Sequence, residues 1–144
     1  MSGVKVIRYI LANNSPVLAV VPASRIMAGD LPINTTLPAI AIEQISSIPR
    51  LTLRMTEPNR MHTDRVQVSA IVKGPQGNPQ GTGYGGVKSL MALILTACPN
   101  QKGTVNGVIV DSILPSDEGP DQQDDATAVY SGSRDFLVRW KSAT

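Results

Sequence analysis

Apolar and polar positions change period several times along the chain, and each change marks an element. Val4, Ile7, Ile10 and Leu11 recur at helical spacing, with Lys5, Arg8 and Asn13 elsewhere, which predicts an amphipathic helix over residues 3–13. Ser15-Pro16 is an N-cap and first-turn signature; it opens a short helical turn through Val17, Leu18 and Val20 that Pro22 ends. Arg25-Ile26-Met27 suits a brief strand, while Gly29-Asp30, Pro32 and Asn34-Thr35-Thr36 read as loop.

From Pro38 the period becomes two. Ile40 and Ile42 share one face and Ala39 and Ala41 the other, as far as Ile45, and Pro49 interrupts the run. Leu51, Leu53 and Met55 then alternate with Thr52, Arg54 and Thr56. After the turn residues Glu57-Pro58-Asn59-Arg60, Val66, Val68, Ala70 and Val72 alternate with Arg65, Gln67, Ser69 and Lys73. This predicts a long β-hairpin. Closing it at residues 56 and 61 sets Leu51 opposite Val66 and Ile45 opposite Val72 on one apolar face.

Residues 74–86 are rich in Gly and Pro with no apolar run, so a flexible connection is expected there. Helical spacing returns with Val87, Leu90, Met91, Ile94, Leu95 and Cys98, and Pro99 stops it. The opposite side of this central helix, with Lys88, Ser89, Ala92, Leu93 and Thr96, is weakly polar for a solvated surface. Two C-terminal strands follow. One carries Val108, Val110 and Leu114; the other sets Phe136, Val138 and Trp140 against Leu137, Arg139 and Lys141. A strand over residues 128–141, at about 3.3 Å per residue, outruns a compact domain of this size, so it must bend or project, with Gly132 the natural bulge point. The elements together predict an α+β fold: a mostly antiparallel sheet with a long hairpin, packed against an N-terminal helix and one central helix, as a single domain over residues 1–144.

Composition sharpens the picture. Of 144 residues 42% are hydrophobic but only 3% aromatic, so the core is built from Val, Ile, Leu, Ala and Met. Charged residues make up only 17%, which leaves an apolar surface that suggests partners. A net charge of +2 excludes electrostatic capture of nucleic acid or membrane by overall charge. The start of the chain lacks a signal-peptide pattern and no stretch has eighteen consecutive apolar residues, so a cytosolic, soluble chain is expected. The only cysteine, Cys98, and the only histidine, His62, remove most disulfide and metal schemes.

The candidate chemistry is sparse. Gly81-Thr82-Gly83-Tyr84-Gly85-Gly86 satisfies G-x-G-x-x-G and Lys88 follows, but no strand directly precedes the glycines, and Val87 separates Gly86 from Lys88. Cys98 lies on the apolar stripe, where a thiol serves as a small core residue rather than a nucleophile. No catalytic spacing links Ser, His and Asp, so neither an enzyme nor a cofactor or metal site is expected. Charge, in contrast, is segregated. Asp117, Glu118, Asp121, Asp124 and Asp125 put five of eleven carboxylates into nine residues of an expected loop over residues 115–126, without calcium-loop spacing. Arg50, Arg54, Arg60, Arg65 and Lys73 make the hairpin basic against only Glu57 and Asp64. Beside a metal site, which the missing calcium-loop spacing disfavours, the acidic loop is open to two readings: a solvated loop or an electrostatic contact with a partner.

The element order and wording resemble the small tail-terminator and tail-completion proteins of long-tailed bacteriophages. The resemblance rests on the Ser15-Pro16-Val17-Leu18 turn, Arg25-Ile26-Met27-Ala28-Gly29-Asp30-Leu31-Pro32, the strand entry Leu37-Pro38-Ala39-Ile40-Ala41-Ile42, Asp64-Arg65-Val66-Gln67-Val68, the helix near residue 90, and Arg134-Asp135-Phe136-Leu137-Val138. It spans nearly the whole chain. It implies a structural virion protein, assembled in the host bacterial cytoplasm, that forms a hexameric ring at the end of the tail tube and joins it to the neck. The implied partners are other copies of the chain, the major tail tube protein, the head–tail connector and the end of the tape measure protein. Only non-specific proximity to passing DNA and no membrane contact are implied. On that reading Arg50, Leu53, Arg54, Met55, Arg60, Met61 and Arg65 form a subunit or tube interface, and the acidic residues a second interface or a lumen lining. The alternatives are a head-side connector of the same virion, and a cytosolic anion-binding domain that uses the glycine loop and Lys88.

Overall fold

Period-two alternation fixes the core of the computed structural model, which describes residues 2–29, 31–32, 36–50, 61–73, 83–124 and 129–141. Strands β3 (Met61–Lys73) and β7 (Val129–Lys141) pair antiparallel along their full length, from Met61 opposite Lys141 to Lys73 opposite Val129. This register sets even-numbered residues against even-numbered ones. Val66, Val68, Ala70, Val72, Phe136 and Val138 therefore share one face, and all are buried. On one flank β2 (Ala39–Pro49) adds Ile40 and Ile42; on the other β5 (Val108–Glu118) adds Val110 and Ile113. Short strands complete the sheet. β1 (Ile26–Ala28) runs parallel to β2, β4 (Gly103–Val105) pairs with β5, and β6 (Gln122–Asp124) pairs with β7. The strand order is β1-β2-β3-β7-β5-β4 with one parallel pair, so the fold is α+β with a mixed, mostly antiparallel sheet.

Two helices cover the even face. α1 (Ser2–Ala12) buries Val4, Val6, Ile7 and Leu11, and α3 (Gly83–Ala97) buries Val87, Leu90, Met91 and Ile94. The short α2 (Ser15–Leu18) packs on both and adds Val17 to the same core. Full burial of a Leu or Ile side chain contributes about 1.5–3 kcal/mol, so this single aliphatic layer supplies most of the driving force. The opposite face carries Thr63, Arg65, Gln67, Ser69 and Ile71 of β3, all half-buried, and no described element packs on it.

A buried carboxylate positions α1. Asp64 sits on the even face of β3, fully buried, where its Oδ2 accepts the Gly3 backbone N–H at 2.9 Å and its Oδ1 accepts the Ser47 hydroxyl of β2. It satisfies one of the orphan donors in the first turn of the helix, where the helix dipole favours negative charge. Gly3 permits the approach: a Cβ there would lie 2.7 Å from the Asp64 Cβ.

Several local expectations are corrected. Asn14, not Ser15, caps α2, its Oδ1 accepting the Val17 N–H at 3.1 Å. The hairpin has a different register: β2 pairs from Ala39 opposite Ile71 to Gln44 opposite Val66, slips by one residue at Ile45, and ends with Pro49 opposite His62. Pro49 closes the strand rather than interrupting it. The Arg50 N–H donates inward to the Met61 carbonyl at 2.7 Å, so the Pro49 nitrogen faces the outer edge, where no ladder bond is lost. Residues 51–60, with the expected second hairpin strand, lie outside the described residues. Gly132 is not a bulge, because the ladder runs through it in register; its missing Cβ instead admits α3, since that atom would lie 2.8 Å from Val87 Cγ1. The irregularities fall in β2 and β5. α3 begins at Gly83, so the end of the expected 74–86 connection is helical and residues 74–82 lie outside the described residues. The expected 115–126 loop likewise contains the end of β5 and all of β6. Leu95 points outward with 39% of its surface exposed.

Replacing Asp64 by Ala orphans a buried backbone donor and a hydroxyl, at about 1–3 kcal/mol for each buried unsatisfied group. Asp64→Ala is expected to lower the thermal midpoint by several degrees, and Asp64→Asn, which keeps an acceptor oxygen, by less. Scanning calorimetry checks this; equal midpoints for wild type and Asp64→Ala would show that the α1 contact is dispensable.

Candidate interaction surface

Strand order brings together charges that are far apart in sequence. Arg65 of β3 projects onto the face away from the helices, as do Asp135 of β7 and Asp117 at the end of β5. Its Nε donates to Asp135 Oδ2 at 2.7 Å and its Nη2 to Asp117 Oδ2 at 2.6 Å. These bonds, to Asp135 first and Asp117 second, raise the guanidinium above its ordinary value. Asp117 meets Arg65 of its own chain because β3, β7 and β5 are consecutive in the sheet, and an arginine side chain spans the interval.

A second cluster ties α3 to the turn between β5 and β6. Lys88 Nζ lies 2.9 Å from Asp121 Oδ1 and 3.4 Å from Glu118 Oε1, and 5.2 Å from the centre of the Tyr84 ring. Arg134 Nη1 reaches Glu118 Oε2 at 3.7 Å. The hydrogen bond from Lys88 holds the Asp121 carboxyl below the ordinary carboxylate value, and the same bond pushes the Lys88 ammonium up. The cation that follows the glycine-rich stretch is thus committed to two carboxylates.

The third feature lies where β2, β3, β7 and β5 come together at one end of the sheet. Ile48, Pro49, Arg50, Met61, Thr63, Asp111 and Arg139 line a cleft of about 420 Å³ on the helix-free side. Ile48 is the most exposed large apolar residue described, at 65%. On the other face of the same strands the His62 and Trp140 rings stack with centroids 4.3 Å apart.

Of the expected interface residues, Arg50 and Met61 line this cleft and Arg65 belongs to the ion-pair network; Leu53, Arg54, Met55 and Arg60 lie outside the described residues. Of the acidic group, Asp117, Glu118 and Asp121 are engaged within the chain, Asp124 ends β6, and Asp125 lies outside the described residues. Ile48, Asp111, Arg139 and Asp135 were missed. The outward alternation of Leu137, Arg139 and Lys141 was the available signal for Arg139. Cys98 is buried, and desolvation pushes its thiol up to about 12.

No protein-family model and no curated protein matches the chain. Among solved structures, a chain of the "Virion of native gene transfer agent (GTA) particle" has a similar fold, with a TM-score of 0.67 at 9% sequence identity, over 98% of this chain and 97% of that one. At this identity the likeness is one of fold, and it extends end to end.

The Lys88 cluster predicts a pH effect of definite sign. A carboxyl depressed in the folded state stabilises the fold above its unfolded value, and that contribution is lost as the pH falls through its folded value. Asp121 therefore contributes at neutral pH, and below about pH 4 that contribution is progressively lost. Lys88→Met is expected to flatten the fall in thermal midpoint over that acid range. Melting curves of wild type and variant with the same acid slope would show that the cluster is merely solvated.

Proposed function

We propose that this chain is a structural virion protein, not an enzyme. In this proposal six copies form a ring that terminates a bacteriophage tail tube and joins it to the head–tail connector. The observation that carries the reading is the end-to-end likeness of fold to a chain of a gene transfer agent virion particle. The surface supports it. One face of the sheet bears no described element, and apolar Ile48, Ile109 and Leu114 stand exposed on the strands. Such a surface suits burial against other subunits better than solvation. A cyclic ring requires two different complementary patches per subunit. The partners are further copies of the chain, the tail tube protein on one side, with the end of the tape measure protein, and the connector on the other; passing DNA makes only sequence-independent contacts.

Native mass spectrometry of the full chain, across protein concentration and with or without the tube protein, tests the proposal. A hexamer that binds tube protein is the expected result. A strict monomer under both conditions would overturn the ring, and a ring that binds only the connector would move the protein to the head side of the neck.

A further inference from the structure

Among the described residues, no side-chain hydrogen bond or ion pair joins Arg50 or Arg139 of the cleft at the end of the sheet. The wall of the cleft is apolar, from Ile48, Pro49 and Met61, and the two guanidinium groups stand at it. The one carboxylate in the lining, Asp111, faces Lys102 at 3.8 Å, so the local balance is positive. A cleft of this kind suits an extended segment in which an apolar side chain is followed within a few residues by a carboxylate: the apolar group leaves water against Ile48 and Met61, and the carboxylate meets arginine forks.

The chain itself presents such a segment. Leu114-Pro115-Ser116-Asp117, in the second half of β5, exposes Leu114 and Pro115, and Asp117 keeps 79% of its side chain exposed. Arg65 uses only Oδ2 of Asp117. The segment cannot turn into its own cleft, because β5 holds it against β7, Leu114 opposite Leu137 and Pro115 opposite Phe136.

We propose that the occupant is a second copy of this chain: Leu114–Asp117 of one subunit docks in the Ile48–Met61–Arg139 cleft of its neighbour, with Asp117 paired to Arg139. Charge complementarity and the matching apolar groups select this partner. Made head to tail, this contact leaves a cleft and a segment free for the next subunit, as a ring requires. The inference rests on the ring reading and names the residues that join its subunits.

Arg139→Glu and Asp117→Arg are made singly and together in the full chain. Circular dichroism melts confirm folding, and Arg65 retains Asp135 when Asp117 is changed. Sedimentation of each protein across concentration is the readout. Each single variant is expected to raise the dissociation constant of the assembly at least about tenfold, and the double swap, which restores opposite charges across the contact, to recover most of the loss. Assembly of wild type and single variants at the same concentration would overturn this contact and leave the ring standing. So would single defects that the double swap does not relieve. A wild type that stays monomeric at every concentration would overturn both.

Discussion

Everything in this structure follows from a sheet with a helical layer on one side. The full-length pairing of β3 with β7 in an even-to-even register gathers the valines, Ala70 and Phe136 onto one face, and α1 and α3 are apolar enough to cover that face once. The small residues mark where the layers meet most closely. Gly3 lets the first turn of α1 rest on Asp64, and Gly132 lets Val87 of α3 approach β7. The buried Asp64 fixes the angle of this packing, since its oxygens join the start of the helix to β2 and β3 at a single point.

The other face inherits what is left. Its residues are half-buried by their neighbours in the sheet rather than by a second layer, and they mix Ser, Thr and Gln with aliphatics and the Arg65 network. An exposed ion pair such as Arg65–Asp117 is screened by solvent, so its role is to orient side chains more than to hold the fold. The cleft at the end of this face, whose arginines have no partner among the described residues, and the strip along β5 both expose aliphatic surface that is costly to leave in water. That cost is what makes assembly the favoured reading of the protein.

Much of this architecture was legible in the residues. Both amphipathic helices and the alternation in β3 and β7 follow from period alone. The hairpin register did not, because the apolar run of residues 51–55 offered a second set of partners for Val66–Val72, while the slip at Ile45 breaks the parity on which a register argument depends. The β4–β5 hairpin had a clear signal that went unused: Asn106-Gly107 between Val105 and Val108, with both turn residues at positive φ. The site was harder. Arg65 and Asp117 are 52 residues apart, and no local pattern encodes the strand order that places them on one face. Arg139 and Ile48 meet in the cleft for the same reason.

The central claim is that the helix-free face is the one that becomes covered when the protein assembles. Hydroxyl-radical footprinting of the protein at monomeric and at assembling concentrations tests it most directly, with Met61, Ile48 and Leu114 reporting on that face and Tyr84 and Leu95 on the outer side of α3. The account predicts protection of Met61, Ile48 and Leu114 on assembly, with Tyr84 and Leu95 unchanged. Protection of Tyr84 and Leu95, with Met61, Ile48 and Leu114 as reactive as before, would contradict it.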